Sequence, residues 1–215
     1  MSRVEEKMKV AVLGATGRTG RLVVGELLAR GHDVVALARD PAAAGLPDGA
    51  SVVAGHARDA GVLRSLVAGA DAVVSTLGPG RGDRTLHRDV APVLVQALRA
   101  EGVRRFVGVS GAGIDVPGDR KSRRDRFISG AIGRFGGDAV RDKVLEYGVW
   151  AASGLDWTLV RPPRLTDAPV TGRVEHHAHT SPRSTSIGRG DLAVFVVGCV
   201  ELRRHVGEAP LVAKG

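Results

Sequence analysis

This chain has almost no cysteine and few aromatic residues. Cys199 is the only cysteine among 215 residues, which excludes an internal disulfide and a metal centre built from several thiolates. Phenylalanine, tryptophan and tyrosine together make up 3% of the chain, so the aromatic platforms on which single-stranded nucleic acids stack are scarce. The net charge of +8 favours an anionic partner. Because aromatic residues are scarce, a dinucleotide or an acidic substrate is favoured over nucleic acid as that partner.

The sequence also lacks a long apolar run. No segment reaches the roughly 20 apolar residues that cross a bilayer, and the charged N-terminus has no signal-peptide core. No linker rich in proline or serine divides the chain. We therefore expect one domain over residues 1–215, a cytoplasmic location and no membrane partner, while the oligomeric state stays open.

A glycine-rich stretch near the beginning of the chain is its most informative feature. Residues 9–13 form a short valine-rich run, and apolar residues return at helical spacing beyond the glycines. Gly14, Gly17 and Gly20 lie between these two patterns, spaced G-x-x-G-x-x-G. A second apolar run at 34–38 completes a strand–helix–strand unit. Because such glycines let a diphosphate approach the helix N-terminus, the unit predicts a dinucleotide site.

The end of the second strand indicates which dinucleotide binds. An acidic residue there hydrogen-bonds the ribose 2′-hydroxyl of NAD, whereas an arginine accommodates the 2′-phosphate of NADP. The strand ends at Arg39, and Arg18 in the glycine loop offers a second guanidinium for the same phosphate. Asp40 follows directly, so a shift of one residue would present a carboxylate instead. The pattern favours NADP over NAD.

Further apolar runs alternate with helical patterns, which predicts an α/β fold of the Rossmann type: a doubly wound parallel sheet with helices on both faces. The predicted strands cover 51–54, 71–77, 105–110 and 157–161, and the predicted helices cover 56–67, 85–101 and 139–153. Residues 164–215 are expected to add a short strand pair, a helix over 191–203 and a last strand near 210–213 on the substrate side.

Two strand ends are expected to border the ligand, because doubly wound sheets bind ligands at the C-terminal ends of their strands. Ser75, Thr76, Leu77 and Gly78 end one strand and could follow the nicotinamide ribose, or they could be a plain strand end. Ser110 ends another, where its hydroxyl would lie near a substrate oxygen.

Residues 115–138 differ in composition from the rest, being basic and glycine-containing without a long apolar period. One interpretation is a solvated, mobile excursion. The other is a lid over the substrate, in which Arg123, Arg124 or Arg126 binds an anion.

Three neighbouring histidines, His176, His177 and His179, form the segment EHHAH. No carboxylate or cysteine beyond Glu175 completes a ligand set, so no metal site is predicted. Cys199 lies in an apolar helical segment, where a buried thiol is favoured over a nucleophile.

Four segments, taken in order, resemble the atypical short-chain dehydrogenase/reductase family: GATGRTG, a strand ending in VST, a strand ending in GVSGAG, and SGLDWTLVRPPRLTD. The resemblance covers nearly the whole chain and is nearest to the NAD(P)-binding branch with biliverdin-IXβ reductase (flavin reductase) and the NmrA-like proteins. It implies strand order 3-2-1-4-5-6, with NADP along the C-terminal edge of the sheet and Ser110 and the turn 161–164 beside the nicotinamide. The implied cofactor contacts are Gly14, Thr16, Gly17, Arg18, Thr19, Gly20, Arg39, Thr76, Leu77 and Gly78.

One departure from the family bears on the chemistry. Ordinary short-chain reductases use a Tyr-x-x-x-Lys pair, in which the lysine lowers the tyrosine pKa. Tyr147 is the only tyrosine, and Ala151 stands where the lysine would be. Lys143 precedes Tyr147 by four residues, a reversed order that we interpret as coincidental. Lys143, Ser110 and Arg164 remain the candidate catalytic residues, although Arg164 stands where the biliverdin-reductase branch has a histidine.

Without a phenolic acid, protonating an alkoxide is difficult, whereas hydride transfer to a conjugated acceptor needs mainly correct placement. The sequence therefore predicts an NADPH-dependent oxidoreductase acting on a flavin, a quinone or a similar planar acceptor, with Arg164 or the arginines of 115–138 holding an anionic group. A non-catalytic NADP-binding sensor or regulator, as among the NmrA-like proteins, is the alternative. A nucleotide-sugar epimerase or dehydratase is weaker, because the chain is short and the required tyrosine is missing.

Overall fold

A parallel sheet of six strands forms the centre of the computed structural model, which describes residues 6–78, 83–122 and 137–215. The strands are β1 (Lys9–Leu13), β2 (Asp33–Ala38), β3 (Ala50–Ala54), β4 (Ala72–Ser75), β5 (Arg105–Val109) and β6 (Asp156–Val160). Their order in the sheet is β3-β2-β1-β4-β5-β6. The predicted doubly wound α/β fold and its strand order are therefore confirmed.

Helices cover both faces of this sheet. They are α1 (Arg18–Ala29), α2 (Ala60–Val67), α3 (Leu86–Ala100), α4 (Gly137–Ala151) and α5 (Arg189–Glu201). Successive residues of β1 point to opposite faces. Accordingly, Val10 and Val12 pack with α1 and α5, whereas Ala11 and Leu13 pack with α2, α3 and α4. The sheet is thus buried between two apolar layers, which explains why its strands are apolar throughout.

The start of α2 differs from the prediction. The expected helix over 56–67 begins only at Ala60, because Asp59 is its N-cap. The Asp59 carboxylate accepts hydrogen bonds from the backbone N–H groups of Gly61 at 2.8 Å and Val62 at 3.0 Å. Residues 55–57 are consequently free to form a loop at the end of β3.

The C-terminal part forms two strand pairs among the described residues, one more than predicted, because the expected last strand is itself paired with a short strand that the sequence analysis did not identify. The pairs are β7 (Arg164–Thr166) with β9 (Ser186–Gly188), which is parallel, and β8 (Val174–His177) with β10 (Leu211–Lys214), which is antiparallel. Strand β7 brings the chain from β6 back toward the N-terminus of α1.

The basic segment 115–138 is described only at its two ends. Lys121 anchors the first end, since its ammonium donates to the carbonyl oxygens of Ala112 at 2.8 Å and Ile114 at 2.6 Å and pairs with Asp115 at 2.8 Å. The lid arginines Arg123, Arg124 and Arg126 lie outside the described residues.

The three neighbouring histidines have separate surroundings. His176 faces His205 and Phe195, His177 lies beside Glu175, and His179 lies 3.6 Å from Asp119. Within the described ranges, no three histidine, cysteine or acidic side chains are grouped so that they could hold a metal ion. Cys199 is buried in α5, and burial raises the pKa of its thiol to about 12. In the same ranges, no helix is both long and apolar enough to cross a membrane.

Arg161, directly after β6, is fully buried and connects three separate segments of the chain. Its guanidinium donates to both carboxylate oxygens of Asp119, at 2.6 and 2.8 Å, and to the carbonyl oxygen of Ala209 at 2.7 Å. Burial opposes ionisation of Asp119, but the hydrogen bonds from Arg161 and from the Val116 N–H outweigh it and lower the Asp119 pKa. The pair is therefore ionised at neutral pH.

Replacing Arg161 by methionine is expected to lower the free energy of unfolding by about 3–5 kcal/mol, because both oxygens of the buried Asp119 carboxylate would lose their guanidinium donor. Since the folded-state pKa of Asp119 is lowered, the contribution of this pair is present at neutral pH and is lost as the pH falls through that pKa. The difference between wild type and Arg161→Met should therefore shrink in acid. Denaturant titrations at several pH values measure both effects.

The matched control is Lys7→Met, which removes an ion pair with Asp33 whose two side chains are 63% and 62% exposed. It should change the free energy of unfolding by less than about 1 kcal/mol. Equal, small effects of both substitutions would contradict the structural role given to Arg161.

Candidate functional site

A cleft of about 750 Å³ lies along the C-terminal edge of the sheet, at the point where the strand order reverses between β1 and β4. Doubly wound sheets bind ligands at this point. The cleft is lined by nine of the ten predicted cofactor residues: Gly14, Thr16, Gly17, Arg18, Thr19, Arg39, Thr76, Leu77 and Gly78. The tenth, Gly20, lies behind them, and Ser75 lines a separate small cavity.

The glycine loop is shaped by contacts with the protein's own backbone. Gly14 has a φ of +73°, and a Cβ on it would lie 2.7 Å from the backbone carbon of Thr76. A Cβ on Gly20 would lie 2.1 Å from the Gly14 carbonyl oxygen. Both glycines therefore let α1 approach the ends of β1 and β4. Gly17, the N-cap of α1, provides no side-chain cap, so the first N–H groups of the helix are available to an anion.

Thr76 holds this loop from the neighbouring strand. Its hydroxyl donates to the carbonyl oxygens of Leu13 and Gly14, each at 3.2 Å, and its N–H donates to Leu13 at 2.9 Å. The hydroxyl of Thr76 thus positions the glycine turn, while its backbone borders the cleft. The predicted stretch 76–78 is at the cleft, with this additional role for its first residue.

The two candidate residues at the end of β2 are separated by the structure. Arg39 is exposed and lines the cleft. Asp40 turns away, and its carboxylate accepts hydrogen bonds from the N–H groups of Ala42 at 3.1 Å and Ala43 at 3.3 Å. The guanidinium, and not the carboxylate, is therefore the charged group at this end of the cleft.

Several cleft residues were missed by the sequence analysis. Gly55, His56 and Ala57 follow β3 and line the same cleft; the rule used for the ends of β4 and β5 applies equally to β3. Asp83 also lines it, and hydrogen bonds from Arg58 lower the pKa of its carboxyl to about 2.

Arg189, the first residue of α5, was also missed by the sequence analysis, but for a different reason. It lies far from the glycine motif in sequence but lines the same cleft. Arg18 and Arg189 both pair with Asp167. A lone arginine in the segment IGRGD carries no recognised motif, so only the path of the C-terminal part across the cleft reveals it.

At its inner end the cleft contains Ser110 and Lys143. The Ser110 hydroxyl is buried, and no hydrogen-bond partner for it exists within the described part of the chain. A buried hydroxyl without a partner in a cleft is an available group for a ligand. Burial lowers the pKa of Lys143, although the charges of Glu146 and Asp142 oppose that shift.

A second cavity, of about 620 Å³, meets the cleft at Lys143, which lines both. Its wall is largely apolar and carries no carboxylate in the described ranges, whereas four cations line it: Lys121, Lys143, Arg161 and Arg164. The charges of Lys121 and Arg161 are paired with Asp115 and Asp119. Neighbouring residues of β7 serve different cavities, since Arg164 lines the second cavity and Leu165 lines the cleft.

The predicted role of the turn 161–164 beside the nicotinamide is only partly compatible with this arrangement. Arg161 is held inward by Asp119, and Arg164 points into the second cavity rather than the cleft. Of the candidate catalytic residues, Ser110 and Lys143 therefore line the cleft, and Arg164 lines the second cavity together with Lys143.

A family model described as NAD(P)H-binding matches residues 14–202. The chain belongs to the NAD(P)H-binding family. This confirms the dinucleotide-binding family expected from GATGRTG and the later segments. The family model includes the glycine loop, the five helices of the described ranges and most residues that line the two cavities.

Two curated relatives carry different names. The "Uncharacterized sugar epimerase YhfK" of Bacillus subtilis is 28% identical, with 90% of this chain and 88% of that protein aligned. The "3-diazoavenalumate denitrifying reductase" of a Streptomyces species is 39% identical over 48% of this chain and 38% of its own length. Among solved structures, a short-chain dehydrogenase/reductase of Veillonella parvula in complex with NADP superposes with a TM-score of 0.78 at 18% identity, covering 97% of this chain and 95% of that one. That likeness is one of fold.

Tyr147 takes no part in either cavity of this NAD(P)H-binding protein. It packs edge-on against Trp157, with ring centroids 5.8 Å apart, and is absent from the lining of both cavities. Of the two residues, Lys143 lines both cavities, and the interpretation of their reversed spacing as coincidental stays a prediction.

Gly20→Ala is expected to weaken binding of NADP⁺ by about tenfold or more, because the added Cβ would displace the Gly14 carbonyl and turn the loop N–H groups away from the diphosphate. Titration calorimetry with NADP⁺ measures the loss, and a thermal melt checks that the variant folds. Gly25→Ala, in the same helix, is the control, since no atom lies within 4 Å of its Cβ position. A folded Gly20→Ala protein with wild-type affinity would contradict the role of the loop.

Proposed function

We propose that this protein is an NADPH-dependent oxidoreductase that passes hydride to a flavin, a quinone or a similar conjugated acceptor. The observation that carries the proposal is the junction of the two cavities. The cofactor cleft and the second, largely apolar cavity meet at Lys143, and the cleft also contains the Ser110 hydroxyl, which has no partner among the described residues. This arrangement suits one ligand in each cavity, with their reacting ends at the junction.

The residues of the cleft fit an elongated dinucleotide. The glycine loop and the N-terminus of α1 would receive the diphosphate. Arg39 would pair with a 2′-phosphate at one end, and Thr76, Leu77 and Gly78 would border the nicotinamide ribose toward the other. Because Asp40 is turned away and engaged by its own loop, we assign NADP, and not NAD, as the preferred coenzyme.

At the junction, two side chains can serve the reaction. Bound NADPH supplies the hydride. Ser110 would donate its hydroxyl proton in a hydrogen bond to the acceptor oxygen, and the ammonium of Lys143 would stabilise the negative charge developing there. Lys143 would then give its proton to that oxygen and regain one from solvent through the open cavities. The lowered pKa of Lys143 makes this transfer easier than from an exposed lysine.

The second cavity supports a planar acceptor with an anionic group. Its apolar wall suits an aromatic ring system. Arg164 is exposed and lines this cavity, where it would pair with a carboxylate or phosphate. The Streptomyces relative is named as a reductase, which also supports redox chemistry.

A sugar epimerase, the name given to the Bacillus subtilis relative, is less well supported. Epimerases of this fold need a phenol at the nicotinamide, and Tyr147 lies against Trp157 instead. A sensor without turnover would have the same coenzyme site, so the activity assay below is what distinguishes a sensor from an enzyme.

The proposed activity is tested by following NADPH oxidation with FMN, riboflavin and a naphthoquinone. We expect turnover with at least one of them, and a rate that falls as the pH rises through the lowered pKa of Lys143, because the unprotonated amine cannot donate. Lys143→Met should lower kcat by about 100-fold and remove this pH dependence. Tyr147→Phe is the control and should retain the activity. Tight NADP binding without turnover of any acceptor would favour the sensor.

Coenzyme preference is tested with Arg39→Gln. The variant should bind NADP⁺ about tenfold to a hundredfold more weakly, because a charge-assisted hydrogen bond to the 2′-phosphate is lost. Its affinity for NAD⁺ should stay unchanged. Arg64→Gln removes one positive charge from the exposed surface of α2 and serves as the control. An equal loss for NADP⁺ and NAD⁺ would show that Arg39 does not read the 2′-phosphate.

A further inference from the structure

A carboxylate of the protein itself bridges two cations of the cofactor cleft. One oxygen of Asp167 accepts from the guanidinium of Arg18, and the other accepts from Arg189 at 2.8 Å. Arg18 and Arg189 are the first residues of α1 and α5, and both line the cleft. The bridge therefore connects the glycine loop with the C-terminal part of the chain.

Arg189 has few partners for so buried a cation. Its side chain is only 15% exposed, while its partner Asp167 is 63% exposed. The buried arginines elsewhere in this protein are better satisfied: Arg161 reaches both oxygens of Asp119 and several carbonyl groups, and Arg105 reaches the carbonyls of Cys199 and Arg204. In the described residues, Asp167 is the one acceptor for the five N–H donors of Arg189. The others are available to a ligand in the cleft.

The position of the bridge points to the diphosphate rather than the 2′-phosphate. Arg18 follows Gly17 directly, at the N-terminus of the helix that would receive the diphosphate. Arg39, at the end of β2, is the cation of the other region of the cleft and takes no part in the bridge. The guanidinium of Arg18 is thus turned toward Arg189, on the side of the C-terminal strands.

We propose that Asp167 occupies, in the free protein, the place that an oxygen of the coenzyme diphosphate takes between Arg18 and Arg189. Asp167 is then a competitor of the coenzyme, and the two arginines form the anion subsite. This inference rests on the proposed coenzyme site. Releasing Asp167 from the bridge costs little, because its carboxylate is 63% exposed and therefore already largely hydrated.

The anchoring of the loop limits how far Asp167 moves. Asp191 in the first turn of α5 accepts hydrogen bonds from the N–H groups of Thr171 and Gly172, each at 2.8 Å. The loop is therefore held four residues beyond Asp167. Only the short segment between β7 and this anchor has to shift when the diphosphate arrives.

The test compares Asp167→Asn and Arg189→Gln in titrations with NADP⁺, NAD⁺ and ADP-ribose. Asp167→Asn keeps the shape of the side chain and removes its charge. It should bind all three ligands about fivefold more tightly, the size expected when two ion pairs to one largely exposed carboxylate no longer compete. Arg189→Gln should bind all three about tenfold more weakly. Asp138→Asn, which removes an exposed carboxylate paired with Arg84, controls for net charge and should bind as wild type does.

The outcomes separate this inference from the proposed function. Unchanged or weaker binding by Asp167→Asn, with wild type binding normally, overturns the inference alone, because Asp167 would then merely hold the arginines in place. A gain confined to NADP⁺ also overturns it, since the anion would be the 2′-phosphate. A wild-type protein that binds neither coenzyme overturns both proposals.

Discussion

The close approach of α1 to the ends of β1 and β4 is the constraint on which the rest of the site depends. Two positions without a Cβ, Gly14 and Gly20, allow this approach, and the hydroxyl of Thr76 secures it from β4. With the helix so close, its free N–H groups open directly into the cleft. A larger residue at either glycine would move the helix end and with it every group that lies along the coenzyme.

Much of the fold could be predicted from the sequence. Strand order, the helices on both faces and the glycine loop follow from local patterns, since buried parallel strands and their helices have distinct periods. At the end of β2 the sequence favoured Arg39 over Asp40, and the structure adds that the Asp40 carboxylate accepts hydrogen bonds from its own loop. Such a short turn leaves only a faint mark in sequence, so the choice between the two residues had to stay open.

The parts that could not be predicted are those assembled from distant segments. Arg189 and Asp167 meet Arg18 only because the C-terminal strands return across the cleft, and no spacing in the sequence encodes that path. Because Asp59 caps α2, the helix begins at Ala60, and Gly55 and His56 lie in the preceding loop, where they line the cleft. Arg161 showed the opposite case, a cation that the sequence placed beside the ligand and that the fold uses to hold Asp119.

Strand β7 is only three residues long, yet it contributes a side chain to each of the two cavities. Because side chains alternate along a strand, Arg164 and Leu165 are obliged to serve opposite compartments. The cavity that receives the Arg164 guanidinium and the cavity that receives the Leu165 side chain are therefore set together. A slip of this strand by a single residue would exchange them, placing the guanidinium in the cleft and the leucine side chain in the second cavity. Divergence of substrate range in such a protein is thus expected to proceed by side-chain replacement here, and not by insertion or deletion.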